Sequence, residues 1–374
     1  MNLNKVVIAP DSFKGSLSAA EVTEVIASAV KETFPGCDII RMPIADGGEG
    51  SVDAVLSAVG GYVVKTEVLS PDNRKINARF GITDNNAAVI EMAQSSGITQ
   101  QIGLHPMTSN TYGFGQLILA ALDRGVKTFT LCIGGSATTD GGCGMAAALG
   151  VRFTDKNGNS FIPGGETLCD IDKIDKSGID ERTADSTFTV MCDVDNPLYG
   201  SNGAAYVYSP QKGATPEQVR ILDDGLRHYG AVLNEHFGQS YSEIPGAGAA
   251  GGLGAGCMAF LGAKLRSGID ALLELYNFKA QVADADLIIT GEGKLDSQSF
   301  QGKVLSGILR EAGDIPVWSI CGISDCDEVI LREKGLTVFQ ASEGISVEES
   351  KKEPAKYLRL AAMRACSFCE GREY

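Results

Sequence analysis

The sequence predicts an α/β protein: a Rossmann-like parallel-sheet domain formed by both chain ends, with a second, mixed α/β domain inserted. Three observations carry that expectation. The N-terminal stretch repeats a strand, turn and helix pattern twice, the same alternation returns after Ala285, and the chain between them changes character. At 374 residues the chain also exceeds the usual one-domain size of about 100–200 residues.

KVVIA is a short apolar run of the kind buried in a parallel sheet, PDSFKGSL is a polar turn, and SAAEVTEVIASAVKETF has the period of an amphipathic helix. Ser18 with Glu21 three residues on forms a capping box that marks the helix start. DIIRMPI, ADGGEG and SVDAVLSAV repeat strand, turn and helix. Successive units of this kind imply parallel pairing through right-handed crossovers. VVKTEVL, INARFGI and AAVIEMA then follow one another across PDNRK and TDNN turns without helices, which predicts a mixed or antiparallel segment.

Helices resume at TYGFGQLILAALDRG, and TFTLCI leads into GGSATTDGG, with a helix expected from about Gly141. TFTVMCDV follows as a strand. TPEQVRILDDGLRHYGAVLNEHF is a helix with Thr215 as cap, Pro216 in the first turn and Gln218 completing a capping box. From Ala285 come ADLIITGEG, a helix from about Lys303, PVWSICG, a helix, LTVFQAS and a C-terminal amphipathic helix. The expected boundaries are residues 1–65 and 284–374 for the parallel-sheet domain and 66–283 for the insertion.

Composition excludes several functions. A formal charge of -15 repels nucleic-acid phosphates and acidic membrane surfaces, so neither partner is expected. No apolar run reaches the roughly 18–20 residues of a membrane span, and MNLNKVVIAPDSF lacks signal-peptide character, which points to the cytoplasm. The ten cysteines are scattered, with CSFC as the single close pair, and read as reduced buried thiols. None of the three histidines lies in a glycine-rich turn, which disfavours Ser-His, Cys-His and zinc chemistry.

Five polar, glycine-rich turns stand at the carboxyl ends of expected strands, where ligands gather on an open parallel sheet: PDSFKGS, PIADGGEGS, GGSATTDGG, CDVDNPLYG and TGEGKLDSQS. In GGSATTDGG, the paired glycines Gly134 and Gly135 allow backbone N–H groups to converge, and Ser136, Thr138 and Thr139 add hydroxyls. That is an anion nest or a capped strand-to-helix turn, and the stretch alone does not choose. GAGAAG, Gly246 to Gly251, matches a dinucleotide fingerprint but follows Pro245 and polar residues rather than a strand, so packing or a substrate loop is the better reading.

Asp46 and Glu49, Asp193 and Asp195, and Glu292 and Asp296 sit at strand ends. Each alone reads as a cap or Asx turn, whereas together they read as divalent-metal ligands plus a base. Lys14, Lys294 and Lys303 supply cations in an otherwise acidic chain. Phosphoryl transfer needs these parts: a phosphate cradle, Mg²⁺, a lysine on the developing charge, and a carboxylate at the acceptor hydroxyl.

APDSFKGSLSA, PIADGGEGS, IEMAQSSG, GGSATTDGGCGMAAALG, CDVDNPLYG, PQKGAT, GAGAAGGLGAG and ITGEGKLDSQSFQGK, in this order, resemble the type 1 glycerate kinase family over essentially the whole chain. The resemblance implies ATP-dependent, Mg²⁺-assisted phosphorylation of D-glycerate in glycerate, glyoxylate or sugar-acid catabolism, with 2-phosphoglycerate as product and 3-phosphoglycerate as the alternative. It implies a split Rossmann-like domain around an insertion. It places Asp193 as base or metal ligand, with Ser12, Lys14, Asp46, Gly47 and Gly48 facing substrate or γ-phosphate. Glu292, Lys294 and Asp296 then face nucleotide, metal or the glycerate carboxylate, and Gly134, Gly135, Ser136, Thr138 and Thr139 hold an anion.

Two other readings compete. A nicotinamide-dependent hydroxy-acid dehydrogenase relying on GAGAAG would respond to NADH and not to ATP. A sugar-acid binding protein would bind glycerate without turnover. Small-molecule partners are expected, and assembly into a homo-oligomer is left open.

Overall fold

The computed structural model describes residues 3–45, 47–48, 50–300 and 303–370. The chain divides into two units, one of Met1–Asp46, Asp53–Gly60 and Ile269–Tyr374, the other of Gly47–Val52 and Gly61–Gly268. Two principal sheets are built from strands numbered here in chain order: β1 (Lys5–Ile8), β2 (Asp38–Arg41), β3 (Gly61–Leu69), β4 (Lys75–Thr83), β5 (Ala87–Glu91), β6 (Thr128–Cys132), β7 (Thr187–Met191), β8 (Lys264–Arg266), β9 (Leu287–Thr290), β10 (Val317–Cys321) and β11 (Leu336–Gln340).

In the first unit the order is β11-β10-β9-β1-β2, with every neighbouring pair parallel. This is a doubly wound sheet whose strand order reverses between β1 and β9, where Val6 pairs with Leu287 and Ile8 with Ile289. The central strands bury both faces, as their unbroken apolar runs require: all of β9 and β10 is buried, and so are Val6, Val7 and Ile8. Helix Ala19–Thr33 starts where the sequence marks it, with the Glu21 N–H donating to Ser18 Oγ and the Ser18 N–H donating to the Glu21 carboxylate. Its Val22 and Ile26 share a core with Ile8, Ile289, Ile320 and Leu358 of the helix Pro354–Glu370.

Both observed junctions lie N-terminal to the expected ones. Strand β3 reaches back to Gly61, beyond the VVKTEVL run. The helices Gly268–Leu275 and Phe278–Val282 lead into β9. Ile269 packs so closely on Gly307 that a Cβ there would lie 2.3 Å from Ile269 Cγ1, and the Tyr276 hydroxyl donates to the Pro43 carbonyl at 2.7 Å. The strand ADLIIT is the visible signal of the returning sheet, but the chain joins the first unit two helices earlier.

The second unit holds a six-stranded sheet in the order β8-β7-β6-β5-β4-β3. The pairs from β5 to β8 are parallel and those among β3, β4 and β5 antiparallel, the mixed pattern expected of hairpin-like strands leading into βα units. Phe80, Phe114, Phe129 and Phe188 fill its core, the last two stacked at 4.6 Å. A small antiparallel sheet (Arg152–Thr154, Ser160–Phe161, Lys173–Asp175) accompanies the capped helix Pro216–Phe237. Among the described residues no helix is long and apolar enough to cross a membrane.

Candidate active site

In the first unit a cavity of about 460 Å³ opens at the carboxyl ends of β1 and β9, the reversal point at which open α/β sheets bind ligands. The turn after β1 brings Asp11, Ser12 and Lys14 to it, and the turn after β9 brings Glu292, Lys294 and Asp296. The two turns lie against each other at Gly293, where a Cβ would make an ordinary 3.4 Å contact with the Phe13 backbone. The turn after β10 closes another side with Gly322, which only glycine fits: a Cβ would fall 2.4 Å from the Gly293 carbonyl. Lys303 and Lys351 also line the cavity, so four lysines meet there in a protein of net charge -15.

Glu292 is the perturbed group of this cavity. Burial pushes its carboxyl up to about 7, and the charges of Asp11 and Asp296 push the same way, against a Ser299 hydrogen bond and Lys303. A divalent cation such as Mg²⁺ would relieve that repulsion: crowded carboxylates beside lysines suit a metal that takes one or two protein oxygens and leaves the rest to phosphates and water. Among the described residues no three His, Cys, Asp or Glu side chains form a ready-made metal cage. Lys294 is held at 2.8 Å by Asp325 and at 3.8 Å by Asp296, so its charge is shared with protein carboxylates. Asp296 also caps its own turn, accepting from the Gln298 N–H.

The other expected residues gather in the second unit, at the carboxyl ends of β5, β6 and β7. Gly134 donates its N–H to the Gly47 carbonyl at 3.3 Å, and a Cβ on Gly47 would meet Met191 Cβ at 3.3 Å. Gly47 and Gly48 thus lie against the turn after β6. Asp193, just past β7, is exposed and accepts from the Gly268 N–H at 2.8 Å. Asp46 and Glu49 lie outside the described residues.

The GGSATTDGG turn is more internal than an open anion nest. Gly135, at φ +77°, is exposed and Gly134 half-buried, but Thr138, Thr139 and Asp140 are completely buried. The helix begins at Cys143, not Gly141, because Gly141 and Gly142 adopt left-handed φ values of 64° and 78°. Asp140 supplies the anion itself: its carboxylate accepts from the N–H groups of Gly142 (3.3 Å), Gly144 (3.0 Å) and Thr111 (2.8 Å) and from the Thr111 hydroxyl (2.8 Å). Thr138 and Thr139 turn inward as well, their hydroxyls bonded to those of Ser136 and Ser209. What faces outward is the Gly134–Gly135 backbone, with Ser136 behind it.

GAGAAGGLGAG packs against this turn. Gly251, at φ +72°, would place a Cβ 2.0 Å from the Thr138 carbonyl oxygen, and Gly256 would place one 2.5 Å from that of Gly141. The glycines of the apparent dinucleotide fingerprint permit close backbone approach within the protein.

Sequence reasoning missed two charged groups here. Glu91, at the end of β5, is buried and accepts from the Val52 N–H (2.8 Å) and Gln94 Nε2 (3.1 Å). Lys212 is buried and donates to the Thr138 carbonyl at 2.5 Å. Asp140, by contrast, fills the capping role that the strand-to-helix reading of the turn offers. A charge at the end of an apolar strand, as in Glu91, was a usable signal, whereas Lys212 in PQKGAT has the look of a solvated turn lysine.

A family model described as "Glycerate kinase family" matches residues 6–370. The chain is similar to the glycerate kinase of Bacillus subtilis strain 168, 42% identical over 365 residues and 96% of each chain. It is also similar to the glycerate 2-kinase of Escherichia coli K12, 43% identical over 337 residues, 89% of this chain and 88% of that one. A crystal structure assigned as glycerate kinase 2 from Salmonella typhimurium LT2 superposes with a TM-score of 0.88 at 40% identity, covering 99% of both chains.

Proposed function

The chain belongs to the glycerate kinase family, and we propose that it transfers the γ-phosphoryl group of ATP to O2 of D-glycerate, releasing 2-phosphoglycerate. The observation that carries the residue assignment is the lysine-lined cavity at the β1/β9 reversal point, of a size that suits a nucleotide and would be mostly empty around a three-carbon acid.

In this reading Ser12, Lys14 and Lys303 bind the triphosphate, and Lys294 completes the positive wall. Glu292 and Asp296 would hold Mg²⁺, which would supply charge neutralisation on the phosphates. Lys14 is exposed and on a turn, placed to follow the charge that develops on the transferred group. The Gly134–Gly135 backbone with Ser136 orients the glycerate carboxylate, Gly47 and Gly48 shape that wall, and Asp193 accepts the proton of the attacking hydroxyl. Asp46 keeps the role toward substrate or γ-phosphate that the family resemblance gives it. On this view the first unit is a nucleotide domain and the second an acceptor domain. Ten free thiols support a reducing compartment, in keeping with a cytoplasmic reaction as part of this reading.

The test is the purified protein with ATP, Mg²⁺ and D-glycerate. ADP release that depends on glycerate supports the reading. Glycerate-independent release alone, or none, contradicts it.

A further inference from the structure

We infer that Lys212 is a positioning residue for phosphoryl transfer, fixing the exposed Gly134–Gly135 turn by holding Ser136 and Thr138 from beneath. The inference rests on the reading of that turn as part of the acceptor site.

Lys212 ends the short 3-10 turn Pro210–Lys212 and is 1% exposed. Its ammonium donates to the Thr138 carbonyl at 2.5 Å and stands 3.5 Å from Ser136 Oγ. Directly before this turn, Ser209 bonds the Thr139 hydroxyl at 3.2 Å. The opposite side of the glycine turn is held by the second glycine-rich segment: Ser136 Oγ donates to the Ala250 carbonyl and the Gly141 N–H to the Gly251 carbonyl. Ala250 adopts φ 53°, a left-handed conformation unusual for a residue with a Cβ. The turn is therefore held by residues 209–212 and 250–251, with Gly47 against Gly134 and Ile98 bonded to the Gly135 carbonyl, and Gly135 is its exposed residue.

Stability alone does not explain a lysine in this place. A buried ammonium loses its hydration, and replacing buried charges with apolar groups of similar volume is often neutral or stabilising. Here burial pushes Lys212 down to about 7, with the nearby Asp140 charge opposing. What a lysine provides that an apolar residue cannot is a donor to a carbonyl within the turn. Losing that donor frees a backbone oxygen two residues from Ser136, which lies behind the exposed Gly135. Misplacement of a binding group by about 1 Å costs up to about 100-fold in rate.

The test compares Lys212→Met, which removes the donor, and Lys212→Gln, which keeps an N–H donor without charge. Melting temperature, kcat, and the separate KM values for ATP and D-glycerate are measured for each. The expected result is variants that melt within a few degrees of the unaltered protein. Their kcat/KM for glycerate should be about 10- to 100-fold lower in Met and less reduced in Gln, with the KM for ATP retained. If Lys212→Met does not fold, a folded Lys212→Gln with a glycerate-specific loss still supports the inference. Folded variants with unaltered kinetics, losses equal for both substrates that track melting temperature, or failure of both variants to fold would overturn it. Gly135→Ala, on the exposed face, separates the two claims: if it is kinetically silent while the Lys212 variants are impaired, the placement of the turn in the site is what fails.

Discussion

Replacing Glu292 with Gln examines whether the cavity at the β1/β9 reversal point is built around a strained carboxylate. Its carboxyl stands at about 7 against an ordinary 4.5, chiefly through burial and then through Asp11 and Asp296. Such a displacement corresponds to about 3 kcal/mol between the protonated and ionised forms. The side chain is only partly buried, so solvent screening reduces this to roughly 1–2 kcal/mol of folding free energy. The folded protein binds this proton more tightly than the unfolded chain. Glu292 therefore favours folding most below about pH 4.5, and that contribution is lost as pH rises to about 7. Between pH 5 and pH 8, without nucleotide or Mg²⁺, the unaltered protein should lose roughly 2–6 °C of melting temperature more than Glu292→Gln loses. Adding Mg²⁺ with ATP at pH 8 should restore stability to the unaltered protein and do much less for the glutamine variant. Parallel pH curves for the two proteins, or equal stabilisation by the metal nucleotide, would refute the reasoning.

Three further substitutions probe other parts of the molecule. Lys14→Met, at an exposed turn, should leave melting unchanged and lower kcat/KM by roughly 10²- to 10³-fold, read from steady-state kinetics beside a thermal melt. Asp193→Asn should lower kcat by about 10²- to 10⁴-fold with little change in the KM for ATP; a shift in nucleotide affinity alone would instead make Asp193 a ligand-holding group. Gly251→Ala should destabilise the second unit by more than about 2–3 kcal/mol in urea, since the methyl would sit 2.0 Å from the Thr138 carbonyl at a positive φ.

Much of the fold can be read from the sequence because its signals are local. The Ser18/Glu21 and Thr215/Gln218 capping boxes mark helix starts, and the apolar runs of β1, β9 and β10 mark strands buried on both faces. The turns after β1 and β9 are legible for the same reason: glycine and Asx residues at strand ends announce where the backbone must bend, and Ser12, Lys14, Glu292, Lys294 and Asp296 do line one cavity. GGSATTDGG shows the limit. Its composition suits an anion nest, yet tertiary closure turns Thr138 and Thr139 inward and gives several N–H groups to Asp140, an outcome set by Thr111, Ser209 and Lys212 far along the chain. GAGAAG imitates a nucleotide motif because close backbone packing and phosphate binding both need residues without a Cβ. Lys212 escaped notice since nothing local in PQKGAT distinguishes a buried lysine from a solvated one, whereas Glu91 stands at the end of an apolar strand, where its burial could have been read.

Phosphorus NMR of the product formed from ATP and D-glycerate tests the proposed reaction most directly. The reading predicts one new phosphomonoester resonance, coupled to the single proton on C2 of glycerate, growing as ATP is consumed. A resonance coupled to the two C3 protons would contradict the proposed regiochemistry, and ATP consumption without any glycerate phosphoester would contradict the reaction itself.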